Sequence, residues 1–155
     1  MENLPSANSL MIENTVVIKA APKEVWRILT DPQETPKYMF GCRTVSTWEP
    51  GGSLEWKMEY EGKEITAVKG FVQGIEPDHY LSYTVFDPNS TIPDLPENYL
   101  TVTYALRKEQ DDTVLTVTQG DYATVAEGKR RYEESYNGGE GWNPILLKIK
   151  QVAES

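Results

Sequence analysis

The sequence predicts an α+β fold: a curved antiparallel sheet of six to seven strands, with a helix at the C-terminal end laid in its concave face. Three observations carry this. Trp142, Ile145, Leu146, Ile149 and Val152 recur at helical spacing, while Lys148 and Gln151 fall off that stripe. The middle of the chain is a run of short segments in which apolar and polar residues alternate, separated by turn-formers. The strands come as a block and the helices sit at the ends, which is the order of an α+β domain and not of alternating α/β units. A stripe as wide as the C-terminal one needs a broad apolar surface, and the strands supply it.

The elements follow in order. Ile12 to Ala20 reads as a first strand, rich in β-branched residues. Pro22 opens a short helix, with Glu24 in its first turn, and Asp31-Pro32 ends it. Gln33 to Phe40 is a second short helical turn, closed by Gly41. Val45 to Trp48 is a short strand, and Glu49-Pro50-Gly51-Gly52 turns the chain. In Ser53 to Glu61, Leu54, Trp56, Met58 and Tyr60 point one way while Glu55, Lys57, Glu59 and Glu61 point the other. Period two with charge on one face is an antiparallel strand with one wet side.

Gly62-Lys63 returns the chain into a strand from Glu64 to Ile75, where Gly70 and Gly74 predict a bend or bulge. Tyr80 to Phe86, Tyr99 to Lys108 and Thr113 to Gln119 are the remaining strands. Between the first two of these, Asp87 to Pro96 holds three prolines and reads as a long rim loop. Thr124 to Tyr136 reads as a charged helix with Arg130, Arg131, Glu133 and Glu134 outside, broken by Asn137-Gly138-Gly139. The last helix runs from near Glu140 to near Ala153, with Pro144 in its first turn, where a missing N–H costs nothing.

Size and charge narrow the function. Residues 1–11 read as a loose leader and 12–155 as a single domain. No apolar run approaches the ~20 residues of a spanning helix. The first residues carry neither a basic start nor an apolar stretch of signal-peptide type. A single cysteine, Cys42, forbids an internal disulfide and points to a reducing cytoplasm. A net charge of -9 disfavours nucleic acid and anionic membrane as partners.

Several local motifs resemble the START-like, or SRPBCC, superfamily, and within it the activator of Hsp90 ATPase homologue 1-like group (AHSA1). Ala21-Pro22 with Val25-Trp26 resembles the family's opening after a first strand. Thr30-Asp31-Pro32 followed by Tyr38 to Gly41, Pro50-Gly51-Gly52, and Gly70 through Pro77 to Leu81 resemble its next three motifs. Gly141-Trp142 with Leu146 and Ile149 resembles the last. The resemblance implies a helix-grip fold, a cavity for hydrophobic ligands between sheet and C-terminal helix, and, in eukaryotic members, a chaperone-binding and stress-response role. Tyr38 stands where the family commonly has tryptophan, and the segment from Thr124 to Gly139 departs from its pattern.

The candidate site is that cavity. Trp56, Met58, Tyr60, Tyr83 and Tyr104 fall on the expected inner face, as apolar walls with a few convergent hydroxyls. Tyr38, Trp142 and Leu146 join them as expected ligand contacts, with Trp142 reaching the opening between Tyr38 and the rim loop. The same aromatics could instead form a filled core. His79, the only histidine, reads as a surface hairpin residue, because no nucleophile pattern accompanies it. Cys42 reads as a buried or half-buried thiol. No zinc spacing, calcium loop or phosphate loop occurs, so no cofactor and no metal are expected. The expected function is a binding protein for a small hydrophobic or amphipathic molecule. The alternatives are a chaperone-interacting module and a cyclase- or hydrolase-like enzyme. The enzyme reading requires a titratable group inside the cavity, with Glu64 and Glu76 as the residues to watch.

Overall fold

A computed structural model describes residues 9–155. The first strand, β1 (Ile12–Ile18), leads into α1 (Pro22–Thr30), a short 3-10 turn at Thr35–Lys37, and the edge strand β2 (Arg43–Ser46). Five strands follow: β3 (Ser53–Tyr60), β4 (Lys63–Glu76), β5 (Tyr80–Val85), β6 (Leu100–Glu109) and β7 (Asp112–Gly120). The chain ends with α2 (Gly128–Tyr136) and α3 (Asn143–Glu154). The strands form one seven-stranded sheet in the order β1-β7-β6-β5-β4-β3-β2, and every neighbouring pair is antiparallel. This is the α+β helix-grip architecture the sequence predicts.

The sheet curls at β4. That strand has 14 residues; its first part pairs with β3 and its last part with β5. Ala67 is skipped in the pairing with β3 and Gln73 in the pairing with β5, so two bulges bend one strand. Of the predicted glycines, Gly74 adjoins the second break and Gly70 lies between the two. A Cβ at Gly70 would stand 1.7 Å from the carbonyl oxygen of Thr84, so only glycine lets β5 close on β4 here.

The core fills the concave side. Ile28 and Leu29 of α1, Leu54 of β3, Leu115 of β7, and Leu146 and Ile149 of α3 are fully buried. The helix α3 packs on β1 and α1. Its far end is held to β1: Lys150 Nζ donates to the Val17 carbonyl at 2.9 Å, and Glu154 accepts the Lys19 N–H at 2.7 Å. Its near end is held by Asn14, whose side-chain oxygen accepts the Trp142 N–H at 2.9 Å. Gly141 allows this approach. It sits at φ +52, and a Cβ there would be 2.5 Å from the same Asn14 oxygen.

Most expected leader residues lie outside the described residues. Leu10, inside them, is tied down: its N–H donates to Asp121 Oδ1 at 2.8 Å and its carbonyl accepts the Tyr122 N–H at 3.0 Å. The charged segment after β7 forms a shorter helix than predicted, because Tyr122–Thr124 is a separate 3-10 turn.

Candidate ligand-binding cavity

The curl of the sheet leaves a cavity of about 480 Å³ over β3 to β7. Its floor is apolar and buried, formed by Trp56, Tyr83, Leu100 and Val102 from the sheet and by Trp142 before α3. Met58, Val68 and Val85 extend that floor. Exposed residues mark the mouth: Phe40 from the loop after α1, Asp87 from the rim loop, and Arg130 and Glu134 from α2. The cavity is therefore roofed by α2 and touched by α3 only through Trp142. The helix long enough to fill the concave face lies beside the cavity, over β1, because Asn14, Val17 and Lys19 hold it there.

The expected contacts divide. Trp56, Met58, Tyr83 and Trp142 line the cavity. Tyr104 stands one layer behind: its hydroxyl and that of Tyr83 share a hydrogen bond of 2.7 Å, and its ring meets Trp142 edge-on at 6.0 Å. Leu146 is fully buried in the packing of α3 and does not reach the space.

Tyr38 and Tyr60 correct the sequence reading. Tyr38 is buried, and its hydroxyl donates toward the carbonyls of Ile28 and Leu29 at 3.1 and 3.3 Å. Those are carbonyls of the last turn of α1, which have no partner within the helix. Tyr38 thus closes the end of α1, and Phe40, 70% exposed, takes the place at the mouth. Tyr60 is 58% exposed. It shares a face with Trp56 and Met58, but it is the last residue of β3, paired with Lys63 across the hairpin tip and beyond the core.

Among the lining residues that the sequence reading did not anticipate are Cys42, Gln119, Tyr122 and Arg131. Burial pushes the Cys42 thiol upward, so it is a poor thiolate. Gln119 Oε1 accepts the indole N–H of Trp142 at 2.8 Å. Tyr122 is fully buried, and its hydroxyl has no hydrogen bond of ordinary geometry; Ser135 lies near enough to oppose the upward push of burial on its pKa. Arg131 is half-buried, not outside. Its Nη1 donates to the carbonyls of Asn98 at 3.1 Å and Ala126 at 3.3 Å. The sequence carried no sign of this. Glu127 and Glu134 stand at i−3 and i+4 of Arg130 and at i−4 and i+3 of Arg131, yet only Arg130 pairs with them.

Burial holds Tyr38, Tyr83 and Tyr104 well above the ordinary tyrosine value, so Tyr83, the one of the three that lines the cavity, presents a neutral hydroxyl. Glu64 and Glu76 are exposed, and Glu64 pairs with Arg43 outside the cavity. His79 is exposed in the turn before β5. Among the described residues, no group of three or more His, Cys, Asp and Glu side chains is placed to hold a metal ion.

The family model for "Activator of Hsp90 ATPase homolog 1-like protein" matches residues 19–154. The chain belongs to this family. Solved structures share the fold over most of the chain. A Cytophaga hutchinsonii protein solved in solution is 32% identical, with 94% of each chain covered and a TM-score of 0.71. A Nitrosomonas europaea protein solved by crystallography is 20% identical, with 97% of each chain covered and a TM-score of 0.70. The solution structure of the Aha1 dimer from Colwellia psychrerythraea is 16% identical, covering 93% of this chain and 96% of that one, with a TM-score of 0.66. None of the curated proteins matches the sequence. In this member of the Hsp90-activator-like family, no helix of the described residues is long and apolar enough to cross a membrane.

Proposed function

We propose that this chain is a binding protein for a small hydrophobic or amphipathic molecule, held between the curled sheet and α2. One observation carries the reading: a cavity of about 480 Å³ with an apolar floor and few polar groups. Small-molecule sites have this character and span ~300–1,000 Å³. The floor contains Trp56 and Trp142, so occupancy is readable by fluorescence. The test has two arms. Protein purified from its own host is examined by native mass spectrometry and solvent extraction for a co-purifying molecule. The purified protein is titrated with the neutral apolar dye N-phenyl-1-naphthylamine. Saturable uptake at one site, weakened by Trp56→Ala, is the expected result. No dye uptake and no co-purifying molecule would overturn the reading.

A second reading is a chaperone-interacting module. The family's description and the Aha1 relative support it, and the exposed Phe40 and Leu147 give an apolar surface that a partner could cover. Capture by the host's Hsp90-type chaperone, with a changed ATPase rate, is the measurement that decides it. A cyclase- or hydrolase-like enzyme has less support. The carboxylates of the cavity wall, Asp87 and Glu134, are exposed at the mouth, and Glu134 is paired with Arg130.

A further inference from the structure

The two sides of the cavity differ in chemistry. The sheet side is apolar apart from the Tyr83 hydroxyl and the Gln119 amide, and that amide is engaged by Trp142. The α2 side carries Arg131, Tyr122 and Ser135, with the ion pair of Arg130 and Glu134 at the exposed mouth. Ser135 and Arg131 both lie near the Tyr122 hydroxyl.

The two arginines of α2 are not equivalent. Arg130 is neutralised, with Nε on Glu127 and Nη1 on Glu134, both at 2.8 Å. Arg131 forms no ion pair among the described residues, and its hydrogen bonds go to neutral backbone carbonyls through one nitrogen. A guanidinium carries five donors in a fixed fork, so Nε and Nη2 of Arg131 remain to be used. The two carbonyl bonds hold the group in place without cancelling its charge. Asp87 and Glu127 lie at longer range and reduce the local potential, but neither is a hydrogen-bonding partner of Arg131.

Beside this charge is the hydroxyl of Tyr122, buried and without a hydrogen bond of ordinary geometry. A buried donor left unmade is costly. Guanidinium, phenol and Ser135 hydroxyl together can all donate. An acceptor with a negative charge satisfies such a set better than a neutral or cationic group does.

We propose that the cavity selects an amphipathic carboxylate, its head on Arg131 beside Tyr122 and its apolar body on Trp56, Met58 and Val102. The proposal rests on the ligand-binding reading above and adds the charge class of the ligand. Arg131 is then the residue that sets specificity, and the sheet supplies affinity without discrimination.

The test compares decanoate, decanol and decylamine as competitors of bound N-phenyl-1-naphthylamine. The three share a chain and differ in head group. The wild type is expected to bind decanoate about tenfold more tightly than decanol, the effect of one charge-assisted hydrogen bond. Decylamine should be the weakest. Arg131→Met should abolish the preference for decanoate while leaving decanol affinity unchanged, and Arg131→Lys should restore part of it. Arg107→Met removes an equal charge from the exposed pair with Glu109 on β6 and should leave the preference intact. Near-UV circular dichroism of each variant checks that the fold is kept. If dye binds but decanol competes as well as decanoate, or Arg131→Met and Arg131→Lys both keep the preference, the carboxylate proposal is overturned and the binding reading stands. If the wild type takes up no dye and no molecule co-purifies with it, the binding reading falls, and this proposal with it.

Discussion

The indole Nε1 of Trp142 donates to Oε1 of Gln119 at 2.8 Å, which joins the start of α3 to the last strand of the sheet. The ring also meets Tyr104 edge-on, while part of it faces the cavity. Trp142 is therefore core on one side and wall on the other. Truncation of a large aromatic in a core costs about 3–5 kcal/mol. Trp142→Ala should lie near the lower end, about 3 kcal/mol, because the cavity side has fewer contacts to lose. Trp142→Phe keeps the bulk and strands the Gln119 oxygen, for about 1 kcal/mol. Urea unfolding of both variants measures these values, and dye titration should show weakened binding for Trp142→Ala. A stability loss of full core size with unchanged dye affinity would make Trp142 an ordinary core residue.

Tyr83 and Tyr104 hold two hydroxyl protons and share one hydrogen bond. Tyr104 is enclosed, so the arrangement that leaves no donor stranded in the core has Tyr104 donating to Tyr83 and the proton of Tyr83 facing the cavity. Tyr104→Phe and Tyr83→Phe should each cost about 1 kcal/mol, and the double variant should cost clearly less than the sum. A double-mutant cycle by urea unfolding reads this directly. Additive losses would mean that the pair contributes no coupling.

Alkaline pH should unfold the protein through the same groups. Tyr38, Tyr83 and Tyr104 are held above the ordinary value by burial, so the folded state keeps protons that the unfolded state releases. Their contribution is intact below the unfolded value of about 10 and is lost as the pH rises above it. The absorbance of these three tyrosines should therefore change only as circular dichroism is lost. One smooth titration with the fold intact would contradict the burial of these hydroxyls.

Gly70→Ala should be among the most damaging single substitutions in the sheet. The added Cβ meets the backbone carbonyl of Thr84 at 1.7 Å, and a backbone oxygen cannot rotate away. Either β4 and β5 separate or the bend is lost. The expected cost is about 4 kcal/mol or more, in the tail of point-mutant effects. Thermal unfolding measures it. A near-neutral result would show that the strands can part here without loss.

Pattern alone determined the seven strands' sequence order, the start of α1 at Pro22 and the buried stripe of α3. Those features depend on local periodicity and on proline and glycine chemistry, which are written in neighbouring residues. The fourfold run of Leu54, Trp56, Met58 and Tyr60 shows where that reasoning stops. Periodicity assigns a face to all four, but only the tertiary structure decides how far the covering layer extends along the strand, and Tyr60 lies beyond it. Tyr38 likewise reads as an aromatic near a rim. Its role at the end of α1 depends on a turn folding back on the helix, a contact no local pattern encodes. The polar half of the cavity is the clearest case. Arg131 belongs to a helix whose charges look uniformly solvated. The placement of α2 against the rim loop and the 3-10 turn after β7 buries one arginine among carbonyls and leaves its neighbour in water. That outcome is set by long-range packing, which brings together residues far apart in the chain and decides which charges keep their solvent.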